Sequence, residues 1–156
     1  MKNKILVIML LLIAISFSLT GCSGFNSFVG PGSSDYSYHV AGSYIVFRSS
    51  TNNIIVIHDP ADPYAGTTPI IPSKVIEIAW DDKIIIAKQQ GLKEKSKGSG
   101  YMIPDDNVLN YWILDTEAYN IYGPFNKEDF INQRKKLKVS DSLELKSVES
   151  YTTTKK

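Results

Sequence analysis

The sequence feature that most constrains the fold is a pair of short apolar runs separated by two aspartates. Val75 to Trp80 alternates in polarity, Asp81-Asp82 follows, and Ile84 to Ala87 is again apolar. Alternation with a period of two indicates a strand with one buried face, and Asp favours turns because its side chain accepts main-chain hydrogen bonds. The pattern predicts a β-hairpin whose first strand places three large side chains on one face: Ile76, Ile78 and Trp80.

Further short runs rich in β-branched and aromatic residues predict the other strands. These runs are Tyr36 to Val40, Tyr44 to Phe47, Ile54 to Ile57, Tyr111 to Leu114 and Tyr119 to Tyr122. The proline-rich segment 59–73 and the polar segment 89–110 predict loops. For Leu143 to Val148 the sequence leaves two alternatives, a last edge strand or a short helix.

One helix is expected after Gly123-Pro124. Asn126 has the side chain of an N-cap, Asp129 stands three residues later, and Phe125 and Phe130 occupy the positions of a hydrophobic staple. Phe130, Ile131 and Leu137 are expected to dock this helix on the sheet. The predicted fold class is therefore α+β, mainly β, with an antiparallel sheet of about five to seven strands and one C-terminal helix packed on it.

The amino terminus has the pattern of an export signal. Lys2 and Lys4 precede an uninterrupted apolar run of 13 residues, Ile5 to Phe17, which ends shortly before Leu19-Thr20-Gly21-Cys22. A membrane-spanning helix needs about 20 apolar residues, whereas the core of a signal peptide needs roughly 7–15. The length of the run therefore favours a cleaved signal peptide over a permanent transmembrane anchor.

The tetrapeptide Leu19-Thr20-Gly21-Cys22 resembles the lipobox of bacterial lipoproteins. The resemblance implies cleavage between Gly21 and Cys22 and attachment of a diacylglyceryl group to the sulfur of Cys22. Two acyl chains hold a protein stably on a bilayer, whereas one chain binds only reversibly. The membrane is thus an expected partner through acylated Cys22, and the expected location is the outer face of the bacterial cytoplasmic membrane.

These signals divide the chain into four parts: a signal peptide at 1–21, a flexible tether at 22–35, one extracytoplasmic domain at 36–150 and a frayed tail at 151–156. Cleavage after residue 21 leaves 135 residues with 15 Lys and Arg against 16 Asp and Glu. This near-neutral balance argues against a nucleic-acid partner, which requires a basic patch. Cys22 is the sole cysteine, so a disulfide or a cysteine-based metal site is not expected.

The densest group of potential ligands is His58, Asp59 and Asp62. An imidazole and two carboxylates could begin a metal site, or Asp59 could orient His58 as a general base. Alternatively, His58 ends a strand and the Asp-Pro pairs begin turns. The turn interpretation is favoured because a metal site needs further ligands from elsewhere in the chain.

Aromatic residues are the most distinctive feature of the domain, which contains most of the nine Tyr and both Trp. Strand alternation buries about half of such residues and leaves the others for binding a carbohydrate, a peptide or a protein. Tyr36, Tyr38 and Tyr119 are the candidate binding residues. The sequence has no nucleophile elbow, phosphate loop, dinucleotide fingerprint or zinc-protease motif, so neither a cofactor nor a catalytic residue is predicted.

Several structural motifs also resemble a family of short lipoproteins of unknown function from Gram-positive-type bacteria. They are Ile71 to Val75, Trp80 to Ile85, Tyr111 to Ile113 and Tyr122 to Phe125. The favoured hypothesis is a non-catalytic, lipid-anchored domain that binds an envelope protein or a cell-wall component. The alternatives are a small envelope hydrolase or metal-dependent enzyme using His58, Asp59 and Asp62, and a lipoprotein of the immunity or exclusion type.

Overall fold

The computed structural model describes residues 35–62, 65–66 and 68–152 of the chain. The predicted signal peptide, Gly21, Cys22 and the predicted tether up to residue 34 lie outside these residues. The described part forms two antiparallel sheets and one α-helix. The predicted class, mainly β with one C-terminal helix, is thereby confirmed, although the strands are divided between two sheets.

The smaller sheet is a meander of three consecutive strands, β1 (Tyr36–His39), β2 (Tyr44–Arg48) and β3 (Ile54–His58). The turn between β1 and β2 requires Gly42, whose φ is +59° and whose added Cβ would stand 3.1 Å from the Cβ of Thr116. All three strands place alternate side chains against the larger sheet, as the period of a strand dictates.

The larger sheet contains β4 (Val75–Trp80), β5 (Ile84–Glu94), β6 (Met102–Asp115), β7 (Asn120–Phe125) and β8 (Lys146–Ser147). Their spatial order is β7-β6-β5-β4-β8. The strand β8 is only two residues long and pairs with the outer edge of β4. On this edge, β8 therefore pairs with only two of the six residues of β4.

The turn between β4 and β5 confirms the predicted hairpin. The Oδ1 atom of Asp81 accepts hydrogen bonds from the main-chain N–H groups of Lys83 and Ile84, at 2.9 Å and 2.8 Å. Asp81 thus forms the turn through its side chain, as the residue type predicts.

The loop predicted at 89–110 is wrong over most of its length. Strands β5 and β6 continue through this segment as a two-stranded ribbon, with Gly91 opposite Asp105 and Glu94 opposite Met102. The chain reverses between Lys95 and Tyr101, whose main chains are joined by a hydrogen bond of 2.9 Å. Most side chains of this ribbon are exposed or half-buried, so it needs no alternation of polarity, and the sequence signal for strands is missing there.

Two apolar layers hold the domain together, one on each face of the larger sheet. The layer between the sheets includes Val46, Val56, Ile78, Ile85 and Leu114, and the layer beneath the helix includes Ala79, Ile86, Tyr111, Ile113 and Phe130.

The helix α1 (Lys127–Lys136) begins as predicted. The Oδ1 atom of Asn126 accepts a hydrogen bond of 2.9 Å from the N–H of Asp129, and the Asn126 amide returns one of 2.7 Å to the Asp129 carboxylate. Phe130 is buried and its ring lies 4.9 Å from that of Tyr111. Ile131, which was expected to dock the helix, is instead 42% exposed because it lies on the outer side of the helix.

Of the two alternatives predicted for Leu143 to Val148, the edge strand forms, but only over the two residues of β8. The strand β8 is followed directly by a 3₁₀ helix, Val148–Tyr151. Val148 is 2% exposed and joins the layer between the sheets. The chain therefore turns from the edge of the larger sheet into the core.

Candidate functional site

Tyr36 and Tyr38, two of the predicted binding residues, lie in a cluster of four aromatic rings beside the edge of β4. The other two members are Trp80, the last residue of β4, and Tyr151 of the 3₁₀ helix. Ring centroids are separated by 5.8 Å (Tyr36–Tyr38), 6.0 Å (Tyr38–Trp80), 5.7 Å (Tyr38–Tyr151) and 4.6 Å (Trp80–Tyr151). These spacings are typical of stabilising aromatic pairs.

Two hydroxyl groups fix this cluster to the main chain. The Tyr38 hydroxyl donates to the carbonyl oxygen of Val148 at 3.2 Å, and the Tyr151 hydroxyl donates to that of Ile78 at 3.1 Å. Burial raises the pKa of both phenols. Both residues are therefore neutral hydrogen-bond donors near pH 7 and hold the site in shape.

Tyr36 lies at the charged end of the cluster. The guanidinium of Arg48 stands 5.4 Å from the centroid of its ring and pairs with the Glu149 carboxylate at 3.2 Å. Burial, followed by the proximity of Glu149, raises the pKa of Tyr36 to about 12. Tyr36 and Tyr38 therefore hold the cluster together, whereas Trp80 and Tyr151 also border an open space.

That open space is a groove of about 390 Å³, which we call the edge groove. It is lined by Ala79, Trp80, Ser142, Leu143, Glu144, Lys146 and Tyr151. Its volume lies within the usual range for ligand sites, and it combines an aromatic wall with a few polar side chains, as such sites commonly do.

The edge groove exists because the C-terminal segment leaves β4 early. Lys146 pairs with Ile78 and Ser147 with Glu77, and a continued ladder would place Glu144 opposite Trp80. Instead, residues 143–145 are outside any strand. The groove therefore lies beside Trp80, where a longer β8 would have continued.

Tyr119, the third predicted binding residue, is at a different place. It lies in the turn between β6 and β7, has a positive φ of 54°, and is 72% exposed. Tyr119 lies near Tyr44. The pKa of Tyr44 is raised first by burial and then by the proximity of Tyr119 and Asp62. The structure therefore does not bring the three predicted tyrosines together.

The predicted ligands His58, Asp59 and Asp62, all within the described residues, do not form a group that could hold a metal ion. The His58 ring lies 4.5 Å from the ring of Tyr44. Asp59 approaches Nδ1 of His39 to 3.4 Å and accepts a hydrogen bond of 2.8 Å from the N–H of Ala61. Asp59 thus forms a turn and pairs with His39 instead of orienting His58.

Among the residues that the structure describes, no group of three or more His, Cys, Asp and Glu side chains could hold a metal ion. A second cavity, of about 520 Å³, lies between the β4–β5 turn and segment 137–140. Three of its charged side chains already have partners: Asp81 accepts the main-chain hydrogen bonds of the turn, and Lys83 pairs with Glu117 at 2.9 Å. The edge groove therefore remains the stronger candidate.

Sequence reasoning missed Tyr151 because it assigned this residue to a frayed tail at 151–156. In the structure Tyr151 ends the 3₁₀ helix and contacts Trp80, while residues 153–156 lie outside the described residues. The domain accordingly extends at least to Thr152. A signal was present, since Val148 and Tyr151 are an apolar and an aromatic residue three positions apart, on one side of a 3₁₀ helix.

No helix within the described residues is long and apolar enough to cross a membrane. Comparison with known families gives a match over residues 41–149, which include β2 to β8 and most of the groove. No curated protein and no solved structure matches the chain. Because the family match covers more than half of the sequence, the chain belongs to the family described as Protein of unknown function (DUF3997).

Proposed function

We propose that this protein is a lipid-anchored, extracytoplasmic binding protein of the bacterial envelope. Its domain acts without catalysis on the outer face of the cytoplasmic membrane, and it binds an envelope protein or a cell-wall component in the edge groove. The single observation that supports binding best is the groove itself, with Trp80 and Tyr151 on its wall.

The proposed anchor is supported by the amino-terminal sequence. A positive start, an apolar run at Ile5 to Phe17 and the lipobox-like Leu19 to Cys22 occur in the order that lipoprotein export requires. The resemblance to lipoproteins from Gram-positive-type bacteria agrees with this order. Two acyl chains on Cys22 would hold the protein on the bilayer without help from its surface.

The proposal of binding without catalysis is supported by the wall of the groove. Trp and Tyr offer a large apolar area with a polar end, and they are enriched where proteins bind ligands and other proteins. The polar residues at the groove are Ser142, Glu144 and Lys146. They can hydrogen-bond a ligand, but they lack the histidine or the paired carboxylates of a common hydrolase.

The hydrolase alternative receives no geometric support. It requires His58 to be oriented by an acid and to face a cavity, but Asp59 pairs with His39. The side chain of His39 is 71% exposed, so the pair that does form lies open to water.

The test is crosslinking in living cells followed by affinity capture and mass spectrometry. It compares the wild-type chain with Cys22→Ala carrying an ordinary secretory signal, and with Ser142→Trp, which fills the groove from an exposed position. We expect one envelope component to be captured by the wild type and to be lost from Ser142→Trp. Radiolabelled fatty acid should enter the wild type and not Cys22→Ala.

Tyr101→Ala is the matched control, because Tyr101 is 60% exposed and lies where the β5–β6 ribbon reverses, at the end away from Trp80. Capture that is equal for wild type and Ser142→Trp would contradict binding in the groove. Fatty acid that enters Cys22→Ala as readily as wild type would contradict the proposed anchor.

A further inference from the structure

We infer that the edge groove binds an extended peptide segment, which adds to the larger sheet beside Trp80. This inference rests on the proposed function and names the ligand class of the same groove. Main-chain groups at the end of β4, and not only the aromatic side chains of the wall, are available to such a peptide.

The main chain of β4 is oriented so that Trp80 faces the groove. Successive residues of a strand direct their N–H and C=O groups to opposite sides of the strand. The N–H of Asp81 donates to Ile84 of β5 at 3.0 Å, whereas the carbonyl of Ile78 points the other way, to the Tyr151 hydroxyl. Trp80 has the same orientation as Ile78, so its N–H and C=O point away from β5 and into the groove.

These groups lie beyond the end of the partner strand. Within the described residues, the ladder of β8 covers Glu77 and Ile78 and does not reach Trp80. An unpaired strand edge is a template for another strand, and proteins bind extended peptides in this way, with main-chain hydrogen bonds supplying affinity. The groove thus offers a peptide the main-chain N–H and C=O of Trp80, the last residue of β4, which the β8 ladder does not reach.

The walls of the groove suit the alternating side chains of such a peptide. One side chain would pack on the Trp80–Tyr151 pair, whose rings are 4.6 Å apart, and the next would point away from it. Glu144 and Lys146 carry opposite charges on the rim. These two charges favour a peptide that carries both a positive and a negative group, one of which can be the charged terminus of the peptide.

A glycan is the competing ligand, because a sugar ring could stack on the same two aromatic side chains. Stacking would leave the main chain of Trp80 unused, whereas a peptide strand pairs with it. The main-chain groups of Trp80 therefore favour the peptide.

The test uses the secreted Cys22→Ala chain, which keeps residues 23–156 and lacks the residue proposed to carry the lipid. A phage-displayed library of random linear peptides is selected on this protein, with a counter-selection on its Ser142→Trp variant. The enriched peptide is synthesised with a fluorescent label, and its Kd is measured by anisotropy. We expect Ser142→Trp to weaken binding at least about tenfold and Tyr101→Ala to leave it unchanged.

Backbone methylation separates strand addition from other modes of binding. N-methyl groups at the amides of one parity should abolish binding, whereas those at the other parity should be tolerated, because only alternate amides face β4. Tolerance of both sets would overturn the inference, and so would failure to enrich any peptide that distinguishes wild type from Ser142→Trp.

Binding of a tetramer of N-acetylglucosamine in the groove, without any such peptide, would also overturn this inference. That result would leave the proposed envelope-binding function standing. The cellular capture experiment decides the proposed function separately.

Discussion

The hydroxyl of Tyr151 donates a hydrogen bond to the carbonyl oxygen of Ile78, 3.1 Å away and 73 positions earlier in the chain. This contact joins the 3₁₀ helix to the outer edge of β4, at the residue that pairs with Lys146, the first residue of β8. It therefore fixes Tyr151, which lines the edge groove, to β4.

Replacement of Tyr151 by Phe should lower the free energy of unfolding by about 1 kcal/mol. The ring keeps its contacts with Tyr38 and Trp80, so the loss reports the hydrogen bond to Ile78. Urea unfolding followed by circular dichroism measures the change. Tyr101→Phe is the control, since Tyr101 is 60% exposed, and it should shift the free energy by less than about 0.5 kcal/mol. Equal stability of Tyr151→Phe and wild type would show that the ring alone holds the helix.

Features set by neighbouring residues could be predicted from the sequence. The cap of α1 depends on Asn126 and Asp129, and the β4–β5 turn depends on Asp81 and the two residues that follow Asp82. Such contacts span three positions or fewer, so residue type and spacing determine them.

The edge groove could not be predicted, because its parts are remote in sequence and its strand partner is two residues long. Ladder pairing between Ile78 and Lys146 has no local signature. An irregularity in β4 also makes the set of buried side chains differ from the predicted one. The register shifts between Val75 and Glu77, so Val75 is fully buried where Ile76 was expected.

The stability of the domain should fall as the pH rises above about 10. Burial raises the pKa of Tyr36 to about 12 and that of Tyr38 still further, whereas unfolded Tyr titrates near 10. The folded state therefore retains protons that the unfolded state loses. The stabilisation is complete below pH 10 and is lost progressively as the pH rises toward the folded-state pKa values.

Urea unfolding at pH 8, 10 and 11 measures this dependence. Tyr36→Phe should reduce the fall in free energy between pH 10 and 11, whereas Tyr101→Phe should not change it. A free energy that rises over this range would contradict the assignment of buried, neutral phenols.

Replacement of the N-cap Asn126 by Ala should destabilise the domain by about 1 kcal/mol. The N–H of Asp129 loses its acceptor, and the returned bond to the Asp129 carboxylate is lost as well. Asn132→Ala, at an exposed position within α1, is the matched control and should leave stability unchanged or slightly higher. The midpoint of urea unfolding distinguishes the two variants, and equal midpoints would argue against the cap.

Replacement of Gly123 by Ala should be the most damaging of these changes, with a loss of about 2 kcal/mol or more. Gly123 has a φ of +133°, which side-chain-bearing residues rarely adopt, and an added Cβ would stand 2.8 Å from the carbonyl oxygen of Tyr111 and 2.9 Å from the Trp112 ring. Neither atom can move without disturbing β6. Gly98→Ala provides the control, because Gly98 also has a positive φ, +77°, but its added Cβ meets nothing within 4 Å. It should therefore cost only the backbone strain, about 1 kcal/mol. Differential scanning fluorimetry should show the larger drop in Tm for Gly123→Ala, and equal drops would mean that the crowding against Tyr111 and Trp112 has no consequence.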